Sequence, residues 1–226
     1  MTHLTWREHG DQMFSRAAGA PLIGGNRVRL LVDARENYPR WLEAIRSAKD
    51  HVHFENYYIR DDSVGREFAD ALIAKAREGV KVRVLHDWLG NRSRAKQPFW
   101  DSMTEAGIEV RTYNRPKLAD PLGVFSRDHR KMLVVDCALG YVGGLCVGCE
   151  WTGDESKKID PWRDTGVEIA GPAAFALERA FSRTWALSGE PLPPMPMEEP
   201  PAPQGDVHLR IVSSEPSTTG MLRLDQ

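Results

Sequence analysis

RDHRKMLVVDCALGYVGG, residues 127 to 144, holds two apolar segments separated by only a few residues. So short a connection between two strands requires an antiparallel hairpin, because a parallel pair needs a long crossover. Extended backbone through 129–135 alternates its side chains. His129, Lys131, Leu133 and Val135 then fall on one face, and Arg130, Met132 and Val134 on the other. His129 and Lys131 stand about 7 Å apart along the strand, on the same side.

Outward from the hairpin, residues 26–113 read as alternating strands and helices. Strands are expected at NRVRLLVD (26–33), HVHFENYYI (51–59), KVRVLHD (81–87) and IEVRTY (108–113). Between them, Tyr38, Leu42 and Ile45 share one helical face, as do Val64, Phe68, Leu72 and Ala76 behind a cap at Asp61, Asp62 or Ser63. Phe99, Met103 and Ala106 mark a shorter helix ending at Gly107. This repetition predicts an α/β fold with a mixed, mostly parallel central sheet flanked by helices. DTGVEIAG (164–171) adds a strand, and Pro172 opens a helix with Leu177, Phe181 and Trp185 on one face.

Residues 188–206 hold seven prolines in 19 positions, which excludes helix and central strand and reads as an extended connector. VHLRIV beyond it alternates as a strand. Twenty residues cannot enclose a second core. The expected organisation is a half-domain over 1–187, a linker over 188–206, and over 207–226 the start of a second half-domain, unless that last strand folds back on the first.

The composition is that of a globular chain, with 41% apolar residues, 27% charged residues and a formal net charge of −2 over 226 residues. That balance argues against nucleic acid as a partner while leaving room for a local basic pocket. No apolar run reaches signal or membrane-spanning length, so a cytoplasmic or peripheral membrane location is expected. Cys137, Cys146 and Cys149 are too few and too clustered for a disulfide framework. Cys146-Val-Gly-Cys149 has zinc or redox spacing but lacks a second pair, so neither metal nor cofactor is expected.

An imidazole and an ammonium on one strand face can grip one phosphate, the first toward phosphorus and the second toward a non-bridging oxygen. A neutral imidazole is a competent nucleophile near pH 7, and the lysine offsets developing negative charge without proton transfer. Asp136, on the opposite face at the turn, suits accepting backbone amides or bracing a neighbouring basic side chain. Gly143 and Gly144 remove two side chains where the second strand passes the site. His51 and His53 share a face that is either pocket lining or strand surface. His86-Asp87 ends a strand where α/β sheets place sites. Trp88 and Trp151 read as packing or a pocket rim.

His129, Lys131 and Asp136 spell H-x-K-x4-D, and with Gly143 and Gly144 at their spacing the chain resembles the phospholipase D superfamily, most closely bacterial cardiolipin synthases. FENYYIRDD (54–62), GVKVRVLHDWLG (79–90), FSRDHRKMLVVD (125–136) and WRDTGVEIAGPA (162–173) carry the likeness beyond the motif. The resemblance implies that His129 is the nucleophile forming a phosphohistidine, or its acid partner, with Lys131 as phosphate clamp and Asp136 as orienting carboxylate. Glu55 matches an acidic position and becomes the candidate for orienting His129.

Several positions depart from the family pattern. Cys146 stands where relatives carry a phosphate-contacting Asn, Cys149 where an acidic residue is frequent, Gly166 where a histidine is frequent, and Cys137 where glycine is usual. Losing a full anion-hole donor at 146 would weaken transition-state binding by about 3 to 4 kcal/mol. Synthase-type relatives have two signatures per chain, whereas these residues hold one.

The expected function is cardiolipin synthase-like phosphatidyl transfer or phospholipase D-type exchange on a glycerophospholipid, with Cys146, Gly143 and Gly144 at the substrate. The second histidine would come from a homodimer or a separate second-half chain, with peripheral membrane contact. The alternatives are a dimeric nuclease of the same superfamily and a truncated, inactive half-protein that only binds phospholipid.

Overall fold

A computed structural model describes residues 5–116, 127–193 and 199–213. The elements run α1 (Trp6–Ala18), β1 (Ile23–Val32), α2 (Asp33–Ser47), β2 (His51–Asn56), α3 (Ser63–Arg77), β3 (Lys81–Asp87), α4 (Trp88–Asn91), α5 (Gln97–Glu105) and β4 (Glu109–Tyr113). The hairpin β5 (Met132–Val135) and β6 (Leu139–Gly143) follows, then β7 (Thr165–Ala170), α6 (Pro172–Leu187) and β8 (Val207–Leu209). Local chemistry accounts for the boundaries. At α3, for example, extended Asp62 caps the helix by accepting from Gly65 N at 2.9 Å, and Gly79, at φ +91°, follows its end.

The strands form one sheet in the order β4-β3-β2-β5-β6-β7-β1-β8. Only β2–β3 and β3–β4 pair in parallel, while β2–β5, β5–β6, β6–β7, β7–β1 and β1–β8 are antiparallel. The expectation of a mostly parallel sheet is therefore wrong. Its error lies in taking β1–α2–β2 as a parallel neighbour pair. The crossover carries β1 across the sheet to β7, and the β5–β6–β7 meander fills the centre between β1 and β2. Helical crossovers between neighbouring strands occur only around α3 and α5.

Helices α2, α3 and α5 cover one sheet face and α6 the other. The predicted alternation in β5 decides which groups face which layer. Leu133 and Val135 join the core under α2 and α3, whereas Met132 and Val134 join Leu177, Phe181 and Trp185 of α6. Val207–Leu209 lies antiparallel on β1, so the strand expected at VHLRIV does fold back on the first unit. No described helix is long and apolar enough to cross a membrane.

Candidate functional site

His129 and Lys131 lie in the segment that leads into β5, one residue short of its first paired position, Met132 opposite Glu55. Their side chains converge on Tyr57, just past the end of β2. The His129 ring centroid is 4.7 Å from that of Tyr57, and Lys131 Nζ is 5.3 Å from it. His129 is exposed and Lys131 buried, with Nζ donating to His129 O at 2.6 Å. Burial, and then the Lys131 charge, lower the His129 pKa, so its imidazole is neutral at neutral pH. Burial likewise lowers that of Lys131, opposed by Cys146, Asp128 and Asp164.

Asp87 sets the approach of this segment. Its buried carboxylate accepts from Leu89 N at 2.8 Å and Gly90 N at 3.1 Å at the start of α4, from Arg127 Nη1 at 3.3 Å and from Asp128 N at 3.2 Å. One carboxylate thus joins the end of β3 to the two residues before His129. Neighbouring His86 is buried, stacked on Trp100 at 4.1 Å, and depressed by burial to about 4, so it serves packing.

Arg130 points the other way, as strand alternation demands, and donates to Ala180 O of α6. Its main partner is Glu55, whose Oε1 accepts from Nη2 at 2.7 Å and Nε at 2.9 Å. The structure therefore places Glu55 against Arg130, not in the expected contact with His129. It is fully buried, with Asp128 within hydrogen-bond reach. Burial, then the Asp128 charge, raise its pKa well above the carboxylate range against the pull of Arg130. Glu55 Oε2 and Asp128 Oδ2 find no donor among the described residues unless one proton lies between the two carboxyl groups.

Asp136 lies at the far end of β5, in the three-residue connection Asp136–Ala138, where it and Cys137 take φ of 53° and 54°. Its carboxylate accepts from the amides of Lys49, Asp50 and His51 at 2.8 to 2.9 Å and so clamps the hairpin turn to the start of β2. Four strand steps, about 13 Å, separate that end of β2 from Glu55.

Gly143 pairs with Gly166 of β7, where a Cβ would crowd that strand at 3.0 Å. At Gly144 the space a side chain would take is filled by the Asp164 carboxylate, one of the charges acting on Lys131. A Cβ on Gly166 would overlap the buried amide of Asn37, so this chain has no room for the histidine frequent there in relatives. The Cys146 thiol is buried and its pKa pushed up to about 11 by burial, with Lys131 pulling it down. It lies close enough to the ammonium for charge to act, but as a neutral thiol.

Tyr57, Asp87, Asp128 and Asp164 complete the neighbourhood. Asp87 was marked by its place at a strand end, while Tyr57 and Asp164 lay in the quoted likeness and gained a place near Lys131 only through the three-dimensional approach of β2, β5 and β7. The segment 117–126, including Phe125 and Ser126 of the quoted likeness, lies outside the described residues. His51 and His53, read as pocket lining or strand surface, are neither: both are buried beneath α6, away from His129.

Residues 41–154 match the family model described as cardiolipin synthase, PLD-like domain. Major cardiolipin synthase ClsA of Bacillus subtilis is 39% identical over 85% of this chain and 40% of its own length. Cardiolipin synthase A of Pseudomonas syringae is 32% identical over 87% and 41%. The chain thus spans about two fifths of these curated relatives. Among solved structures, the phospholipase D family member Nuc from Salmonella typhimurium matches 74% of this chain and 98% of its own at a TM-score of 0.57 and 20% identity. The phosphatidylserine synthase of Haemophilus influenzae covers 75% and 39%, at 0.56 and 17%. The two structures share the fold. The chain belongs to the cardiolipin synthase, PLD-like domain family of the phospholipase D superfamily, and His129, Lys131 and Asp136 spell H-x-K-x4-D inside the matched residues.

Proposed function

We propose that this chain presents one half of a phosphodiester-exchange site that turns over only when a second H-x-K unit faces it. The observation that carries the reading is the convergence of a neutral, exposed imidazole and a buried ammonium on the Tyr57 ring. His129 would attack phosphorus, forming an N–P bond as the ester oxygen leaves. The second unit's histidine would supply that oxygen's proton. An incoming hydroxyl, having lost its proton to the same group, would then displace His129. Lys131 would hold a non-bridging oxygen throughout.

On this reading residues 1–187 are the half-domain and 188–206 the connector. The substrate is a glycerophospholipid, phosphatidylglycerol being both donor and acceptor in a synthase reaction, and the curated relatives support that choice. A single-signature unit also fits a dimeric nuclease, and a chain that remains alone fits phospholipid binding without turnover.

Solution mass followed by two assays separates these readings. Phosphatidylglycerol vesicles and metal-free DNA are each offered to the chain as monomer and as any dimer it forms. The proposal expects vesicle binding by both forms and lipid conversion by paired units only. Turnover by a strict monomer, or cleavage of DNA with no action on lipid, would overturn it.

A further inference from the structure

At the end of β2 remote from His129, four side chains of metal-ligating type come together from three elements. His51 and His53 lie on the α6 side of β2, Glu178 comes from α6, and Cys137 from the β5–β6 turn. Each is more than nine-tenths buried. The ligand atoms of His51, His53 and Glu178 lie within 4.8 Å of one another. His51 Nε2 is 3.3 Å from Glu178 Oε2 and 3.6 Å from Cys137 Sγ.

Those two separations, both measured from His51 Nε2, match two edges of a zinc tetrahedron. Bonds of about 2.0 to 2.1 Å to nitrogen or oxygen and 2.3 Å to sulfur put neighbouring donors roughly 3.3 to 3.6 Å apart. His51 is held as a zinc ligand would be, its other nitrogen, Nδ1, lying 2.8 Å from the Asp50 carboxylate. His53 Nδ1 is 2.6 Å from Glu178 Oε1, so the metal-free cluster is held by a histidine–carboxylate contact whose place an ion would take. Cys137 stands in the hairpin turn at φ +54°, a conformation that favours glycine.

We propose that Cys137, His51, His53 and Glu178 form a structural zinc site that ties α6 and the β5–β6 turn to the start of β2. Thiolate, imidazole and carboxylate donors suit zinc, and four protein ligands close the coordination sphere against chemistry. One contact has to change on loading. Arg83 Nη1 is 3.1 Å from His53 Nε2, which fixes the Nδ1–H tautomer in the metal-free protein. When zinc takes Nδ1, that proton passes to Nε2, and Arg83 keeps its 2.8 Å bond to Glu109. The protons displaced from the thiol and from His51 Nε2 go to solvent.

The full chain, purified without chelator, should carry about one zinc ion per molecule. Zinc alone, added back to chelator-treated protein, should raise Tm by roughly 10 °C. Cobalt in its place should give a thiolate charge-transfer band that is lost in Cys137→Ser and kept in Cys149→Ser. Protein without metal whose Tm ignores zinc overturns the site. A cobalt complex without a thiolate band, or one whose band is lost in Cys149→Ser instead, overturns the ligand assignment. These readouts do not involve the His129 site, so they stand or fall apart from its proposed function.

Discussion

Lys131 Nζ donates to the carbonyl oxygen of its near neighbour His129 at 2.6 Å. That bond holds the ammonium beside the imidazole while leaving two of its three donors for an anion. Replacing Lys131 by Met should weaken binding of a soluble phosphodiester such as glycerophosphoglycerol by about 10-fold to 100-fold, the worth of a charged hydrogen bond. Lys131→Arg should restore little, because a planar fork does not fit a buried pocket shaped for a point charge. Calorimetric titration of both variants checks this.

The same proximity acts on protonation. Burial and the Lys131 charge both disfavour the imidazolium, so His129 should titrate below the ordinary histidine value of 6.5. Proton NMR, with the resonance assigned by its loss in His129→Asn, should show the midpoint moving upward in Lys131→Met. A midpoint that stays put would mean that the ammonium does not act on the ring.

Glu55 gives a pH dependence of stability with a definite sign. Its folded pKa is raised, so the folded state holds a proton that the unfolded chain releases above about 4.3. Stability from this group is complete below that value and declines as pH rises through the folded pKa. Glu55→Gln keeps a donor toward Asp128 and an acceptor toward Arg130, and should flatten that decline in urea unfolding measured from pH 4 upward. Glu55→Ala should cost about 1 to 3 kcal/mol, because it leaves Arg130 Nη2 and Nε without their main acceptor.

Gly166→Ala should destabilise the chain by about 1 to 3 kcal/mol, since the added methyl meets the Asn37 amide inside a packed core. Combined with Asn37→Ala, the two losses should fall short of their sum, which a double-mutant cycle in denaturant would register. Full additivity would place the strain elsewhere.

Asp136→Ala separates folding from function within the signature. Losing an acceptor for three amides should lower stability by about 1 to 3 kcal/mol. Phosphodiester binding by the folded variant should not change, as Asp136 lies at the other end of β5. Loss of binding at full stability would give Asp136 a direct role instead.

What the sequence made legible follows from short-range rules. Alternation through 129–135 set Lys131 apart from Arg130, and the short connection at Asp136-Cys137 showed the hairpin. Partners across the sheet were not legible. Strand–helix repetition cannot tell whether β1 lies beside β2 or beyond β7, which is why the parallel sheet was overestimated. Glu55 was singled out through the family resemblance, but its partner, Arg130, depended on the side of β2 it occupies. His51 and His53 share that side, and only the position of Glu178 on α6 explains their burial. Tyr57 lay inside the quoted likeness at 54–62 but carried no physical signal of its own, since a tyrosine after a strand is ordinary until His129 and Lys131 meet on its ring.

The most direct test follows the His129 ring resonance while glycerophosphoglycerol is added. The account predicts a saturable shift with an upward move of the His129 midpoint, as an anion stabilises the imidazolium, and loss of both in Lys131→Met. A His129 resonance and midpoint that ignore the phosphodiester at every concentration would contradict it.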